Sequence, residues 1–260
     1  MDLRDAHVLV TGATGGIGAA LAEAFAARGA RLTVTGRDEA ALAAVAEPLH
    51  AEAIAADLAE NDGPARLLSE VGRVDVLVAN AGIPASGQDY DVEDIDRALA
   101  VNLRAPIVLS RLASQQMAER RRGHVVLLSS LSGKSASAHL ALYNATKFGV
   151  RGYGLALRAD LRPHGVGVSV LLPGPVRDAG MFSDAGVEIP RSGTVTAERV
   201  ARAAVHATER DRGEVTVAPW PLRVGTAVGA LLPGVTATIA RRAGGDAMME
   251  AVSRGQRDMH

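Results

Sequence analysis

Six short runs rich in Val, Ile and Leu, separated by longer stretches rich in Ala, Leu, Arg and Glu, constrain the fold of this 260-residue chain more than any other feature. The runs are His7–Thr11, Arg31–Thr35, Ala53–Ala56, Val74–Ala79, His124–Ser129 and Val166–Leu172. Most lack strict polar/apolar alternation, the pattern of strands buried on both faces. Between them lie helix-like segments such as Ile17–Arg28, closed by Gly29, and Glu39–Leu49. Strands alternating with helices call for crossover connections, so the expected fold is α/β, a doubly wound parallel sheet with helices on both faces. No linker, repeat or low-complexity tract interrupts the pattern, and a single domain over residues 1–260 is expected.

The last third departs from the alternation. Residues 176–194 are rich in Gly, Pro and small polar side chains and read as a lid spanning about 176–195. A helix, Ala197–Arg210, and a short strand, Glu214–Ala218, follow, and then a C-terminal helical segment over about 219–260. Within it Val224–Ala240 carries no charge, but its 17 residues contain Pro233 and several glycines, so no transmembrane span is expected. The tail reads instead as a helical cap over the substrate side or against another subunit.

Composition narrows the classes. Hydrophobic residues at 48% and charged residues at 22% supply a core and a soluble surface, and a net charge of −1 points away from nucleic acid. The cluster Arg120-Arg121-Arg122 reads as a solvated helix end. The chain has no cysteine, which excludes disulfides, thiolate catalysis and cysteine-held metals and suits a cytoplasmic setting. None of the seven histidines has metal-ligand or triad spacing, so no metal is expected, and no G-x-S-x-G surrounds a serine.

Two constellations carry chemistry. The first strand runs into Thr11-Gly12-Ala13-Thr14-Gly15-Gly16-Ile17-Gly18 and then a helix. Glycines there let the backbone turn sharply and approach a pyrophosphate, while the helix N-terminus offers N–H groups; a plain tight turn gives the same letters. Farther on, Tyr143 and Lys147 are four residues apart, on one face of a helix. An ammonium beside a phenol favours the phenolate, which brings tyrosine toward proton transfer at neutral pH. Such a pair by itself also describes an ordinary exposed helix surface.

The glycine register T-G-x-x-x-G-x-G resembles that of the short-chain dehydrogenases/reductases, whose further motifs follow in order. They are Asp57-Leu58, Asn80-Ala81-Gly82, Asn102, Ser130, Tyr143 with Lys147, and Pro173-Gly174-Pro175-Val176. The resemblance covers about residues 5–176 and implies a Rossmann-like fold and hydride exchange between NAD(P)(H) and a ketone or secondary alcohol. It implies that Ser130, thirteen residues before Tyr143, bonds the substrate oxygen, and that Tyr143 is the general acid/base. Lys147 would bind the nicotinamide ribose and lower the tyrosine pKa, and Asn102 would hold a relay water. Ser129 competes with Ser130, but adjacent strand side chains face opposite ways. Gly12, Thr14, Gly15, Gly16, Ile17 and Gly18 would hold the pyrophosphate. Asp57 and Leu58 would hold the adenine, unless Asp57 is a helix cap. Asn80, Ala81 and Gly82 would pass beside the cofactor, or form an ordinary turn. Pro173, Gly174 and Val176 would meet the carboxamide.

The cofactor type turns on Gly36-Arg37-Asp38 after the second strand. By resemblance Gly36 occupies the acidic position of NAD-preferring members, and Arg37 suits a 2′-phosphate, so NADP(H) is favoured over NAD(H). Asp38 satisfies a rough ribose-acid spacing but is read as a helix cap. A second basic residue found in some NADP-preferring members is absent, with Gly15 in its place. Asp178 stands where many members have a threonine that helps bind the carboxamide. Met181 and Phe182 would fold over a small-molecule carbonyl or alcohol substrate, an apolar one by analogy with relatives carrying similar tails, or equally belong to satellite core. His139 is read as an exposed loop residue. The resemblance further implies a homodimer or homotetramer through helices near Ile95–Arg120 and Leu142–Arg162. Two alternatives stand beside this reading: a binding protein that senses nicotinamide redox state without turnover, and a sugar-nucleotide epimerase or dehydratase, whose glycine register and extra domain are missing.

Overall fold

Each central strand gives its two faces to two different helix layers, which is why its sequence is apolar throughout. A computed structural model of the chain describes residues 1–85, 87, 90–180, 191–231 and 250. The strands are β1 (His7–Thr11), β2 (Arg31–Gly36), β3 (Glu52–Ala55), β4 (Val76–Ala79), β5 (Gly123–Leu128), β6 (Val166–Pro173) and β7 (Glu214–Val217). They form one sheet in the order β3-β2-β1-β4-β5-β6-β7, with every pairing parallel. The helices are α1 (Gly16–Ala26), α2 (Glu39–Ala46), α3 (Gly63–Val71), α4 (Val92–Leu99), α5 (Ala105–Glu119), α6 (Ala141–Leu161), α7 (Ala197–Arg210) and α8 (Trp220–Leu231).

Val8 and Val10 of β1, Val76 and Val78 of β4, and Val126 and Leu128 of β5 pack with α1, α2 and α7. Their neighbours Leu9, Leu77, Ala79, Val125 and Leu127 pack with α3, α5 and α6 on the opposite face. Period-two geometry with apolar residues in both phases yields the three-layer arrangement. The strand order reverses between β1 and β4, which opens a crevice at the carboxyl ends of these strands.

The doubly wound fold expected from the sequence is the fold observed, with most element ends moved by one or two residues. The β4 strand begins at Val76 rather than Val74, and Glu39–Leu49 splits into α2 and a 3-10 turn at Glu47–Leu49. The single helix expected over Ile95–Arg120 is instead α4, a π-helical turn at Ala100–Arg104, and α5. The arginine cluster is not simply a solvated helix end. Arg120 donates to the Val74 carbonyl (2.9 Å) and Arg121 to that of Pro163 (3.0 Å), tying the start of β5 to its neighbours.

The bases of the expected lid are held together: Val176 pairs with Val195 in a parallel bridge, and Arg177 N donates to the Val195 carbonyl (3.1 Å). Met181 and Phe182 lie outside the described residues, as does the C-terminal segment beyond Leu231 apart from Glu250. Among the described residues no helix is long and apolar enough to cross a membrane.

Candidate active site

At the switch point β1 ends in Thr11, whose hydroxyl accepts from the backbone N–H groups of Asn80 and Ala81, both at 3.0 Å. Asn80 Nδ2 returns two bonds, to the carbonyls of Thr11 (3.0 Å) and Gly12 (3.1 Å). The ends of β1 and β4 are therefore cross-tied, and the chain at Ala81-Gly82 runs close beside the glycine loop. Gly12 has φ +66°, and a Cβ there would stand 2.7 Å from Ala81 Cα, so only glycine fits. A Cβ on Gly18 would overlap the Gly12 carbonyl oxygen, which explains the glycine at the loop's far end. The α1 helix that follows has Gly15 at its N-cap, no side-chain cap bond and no acid in its first turn. Its N–H groups are left for an anion.

The crevice forms a cavity of about 370 Å³. Gly12, Thr14, Gly15, Gly16, Ile17 and Gly18 line one wall, and Arg37, Asp57 and Leu58 lie at one end. Asn80, Ala81 and Gly82 after β4, and Pro173, Gly174 and Val176 at and after the end of β6, line it as well. Arg37 is exposed at the mouth, whereas Asp38 accepts from Ala41 N (3.0 Å) and caps α2. Asp57 accepts from Ala59 N (2.8 Å) within a turn, and α3 starts only at Gly63, so Asp57 is not a helix cap.

Ser130, Tyr143 and Lys147 meet at the other end of the same cavity. Lys147 Nζ lies 5.5 Å from the Tyr143 ring centroid, is nearly buried, and donates to the Leu128 carbonyl (3.1 Å). Burial holds its pKa down at about 8. Burial pushes the Tyr143 phenol up to about 12, against the opposing effect of its hydrogen bond with Ser130. Desolvation of the phenolate is thus the larger influence on Tyr143, and the hydrogen bond with Ser130 is what opposes it. Ser129 points away, donating to the Lys147 carbonyl (2.8 Å), as strand alternation requires.

Comparison with known proteins bears directly on this arrangement. The model of the short chain dehydrogenase family matches residues 6–188. The chain belongs to that family. The ketoacyl reductase HetN of Nostoc sp. is 34% identical over 227 residues, covering 83% of this chain and 79% of HetN. Dehydrogenase/reductase SDR family member 7B of Bos taurus is 35% identical over 66% of this chain, which spans only 58% of that relative's length. A short-chain dehydrogenase from Sphingobium yanoikuyae, solved in complex with NADPH, superposes with a TM-score of 0.77 at 28% identity, over 90% of this chain and 95% of its own. The chain is a short-chain NAD(P)-dependent oxidoreductase with a Rossmann-like fold, of a family whose substrates are small molecules.

Asn102 and Asp178 lie off the cavity lining, each bonded to backbone groups. Asn102, in the π-helical turn, lies behind the cavity wall rather than on it. Its amide bonds both Ile83 N (2.8 Å) and the Ile83 carbonyl (3.0 Å), fixing the chain just past Gly82. Asp178 turns away from the cavity and accepts from Ala197 N (2.9 Å) at the start of α7. His139 is half-buried, with φ +60°, and does not line the cavity. Sequence reasoning passed over Ile83, Pro84, Ala179 and Gly180, which do line it. Ala179 presses on Gly16, a long-range packing no local motif announces.

Proposed function

We propose that this short-chain dehydrogenase interconverts a ketone or other carbonyl and a secondary alcohol, with NADP(H) preferred and Tyr143 as general acid/base. The observation that carries the reading is the meeting of Ser130, Tyr143 and Lys147 at one end of a cavity whose other end carries Arg37. The uncapped α1 N-terminus and the glycines that admit no Cβ fit a pyrophosphate. Bound there, the cofactor supplies or takes the hydride.

The remaining chemistry belongs to the chain. Ser130 donates a hydrogen bond to the substrate oxygen and orients it. Tyr143, pushed up to about 12 by burial, is a neutral phenol at pH 7 and holds the proton that a newly formed alkoxide takes up; in the reverse direction its phenolate accepts the alcohol's proton. Lys147 places a cation under the site and holds the ribose, and Asn102 shapes the wall through Ile83. Arg37 meets the 2′-phosphate. In support, a Cβ built at Gly36 would come 2.9 Å from Thr14 Cγ2, so an acidic side chain there would have to displace Thr14. The sheet and its helices act as one domain. Phe148 and Leu155, exposed on α6 by 42% and 39%, support a homo-oligomer packed through this helix. Light scattering of wild type and Phe148→Glu should give a multiple of 26.8 kDa that falls in the variant; a wild-type monomer rejects the assembly.

The test of function is hydride exchange between NADPH and a panel of ketones and aldehydes. Tyr143→Phe should lose on the order of a hundredfold or more in turnover while still binding NADPH. Equal turnover rejects the mechanism, and NADPH binding without turnover by the wild type over the panel favours a redox-sensing binding protein.

A further inference from the structure

Ser130 and Tyr143 arrive from different elements, yet a short chain of bonds joins them. Ser130 follows β5 and caps the 3-10 turn Leu131–Gly133, with its Oγ accepting from Ser132 N (3.1 Å). The carbonyl of the same Ser132 accepts from Asn144 Nδ2 (2.6 Å), and Asn144 follows Tyr143 directly on α6. Asn144 is buried and makes two further bonds, to the Ser135 carbonyl and from Ser137 N, both at 3.3 Å. It therefore grips the loop after Ser130 at three points. The turn is pressed hard on the helix: a Cβ on Gly133 would stand 2.6 Å from the Lys147 carbonyl oxygen and would overlap Ser129 Oγ.

We infer that Asn144 is a positioning residue that sets the hydrogen bond between Ser130 and Tyr143 by locking the Leu131–Gly133 turn to α6. The inference rests on the reading of Ser130 and Tyr143 as the proton-handling pair. An amide suits the task because its two N–H donors face two backbone carbonyls while its oxygen accepts a backbone N–H. Without it the Leu131–Gly133 turn rests on α6 through packing, the bond from Ser129 to the Lys147 carbonyl holds only the strand end before it, and Ser130 is free to drift from the phenol. Ser130 is the one group that works against burial at Tyr143, so its drift raises the phenol pKa further.

The test needs no substrate. The protein is labelled with [ζ-13C]tyrosine, saturated with NADP+ and titrated by NMR; Tyr143→Phe identifies its signal among the three tyrosines. Asn144→Ala should raise the Tyr143 midpoint by about one pH unit, in the same direction as Ser130→Ala. NADPH affinity, read by fluorescence, should stay within about twofold of wild type. Gly133→Ala, which pushes the turn off the helix, should shift the midpoint the same way and carries the comparison if Asn144→Ala does not fold. An unmoved midpoint in Asn144→Ala beside a shifted one in Ser130→Ala overturns the positioning role alone, as does loss of NADPH binding. A midpoint unmoved by Ser130→Ala overturns the underlying pair and the inference with it.

Discussion

Lys147 is the residue whose state depends most on its surroundings. Burial holds its pKa at about 8, below the ordinary lysine value of 10.5, so the neutral form is favoured on folding. The stability this contributes is present above about 10.5 and is lost as the pH falls through about 8. Tyr143 works in another window, because its contribution is intact below 10 and fades toward 12. Purified without added NADP(H), the protein should therefore gain stability from pH 7 to 9.5, and Lys147→Met should flatten that rise. The gain over that interval is on the order of 2 kcal/mol; urea midpoints at the two pH values measure it, and an unchanged slope in the variant excludes Lys147 as its source. Arg37 and Asp38, adjacent in sequence, separate by partner. Arg37→Ala should weaken NADPH about tenfold and NADH hardly at all. Asp38→Ala should leave the preference alone and cost about 1 kcal/mol of stability, because its carboxylate caps α2. A preference unchanged by Arg37→Ala removes Arg37 from the 2′-phosphate site.

Among the elements, α6 carries the most constraint. It presents Tyr143 and Lys147 to the cavity, Asn144 to the Ser130 turn, and Gly154 to the sheet. A Cβ on Gly154 would come within 2.5 Å of Val170 Cγ2 and 2.7 Å of Leu127 Cδ1, so the helix lies unusually close to β5 and β6 there. Gly154→Val should overpack this contact and destabilise the protein by about 1–3 kcal/mol, read in urea unfolding. A stability equal to wild type indicates that α6 has room to shift. Because the same helix holds the site, turnover on any carbonyl that the wild type accepts should fall together with stability. The segmentation around α4 and α5 was less legible. Ile95–Arg120 reads as one helix because its composition is helical throughout, whereas the π turn at Ala100–Arg104 carries Asn102, whose bonds to Ile83 join residues nineteen apart.

Across the whole molecule, the alternation of apolar strands with helices and the two chemical constellations could be read in order along the chain. Strand identity, the glycine loop, the four-residue spacing of Tyr143 and Lys147, and the cap at Asp38 all depend on neighbours a few residues away, which a linear pattern records. What the tertiary structure decided involves partners far apart in sequence. The Thr11 hydroxyl binding Asn80 and Ala81 joins β1 to β4. Ala179 closes on Gly16, and Asp178 is taken by α7 rather than by the cavity. Burial, which no local motif encodes, pushes the Tyr143 phenol up and the Lys147 ammonium down: the residue types are those of a proton-transfer pair, but their pKa values follow from how much water the folded crevice admits. The sequence by itself determined the fold class and which side chains could take part; three-dimensional packing determined which of them face the cavity, and in what protonation state.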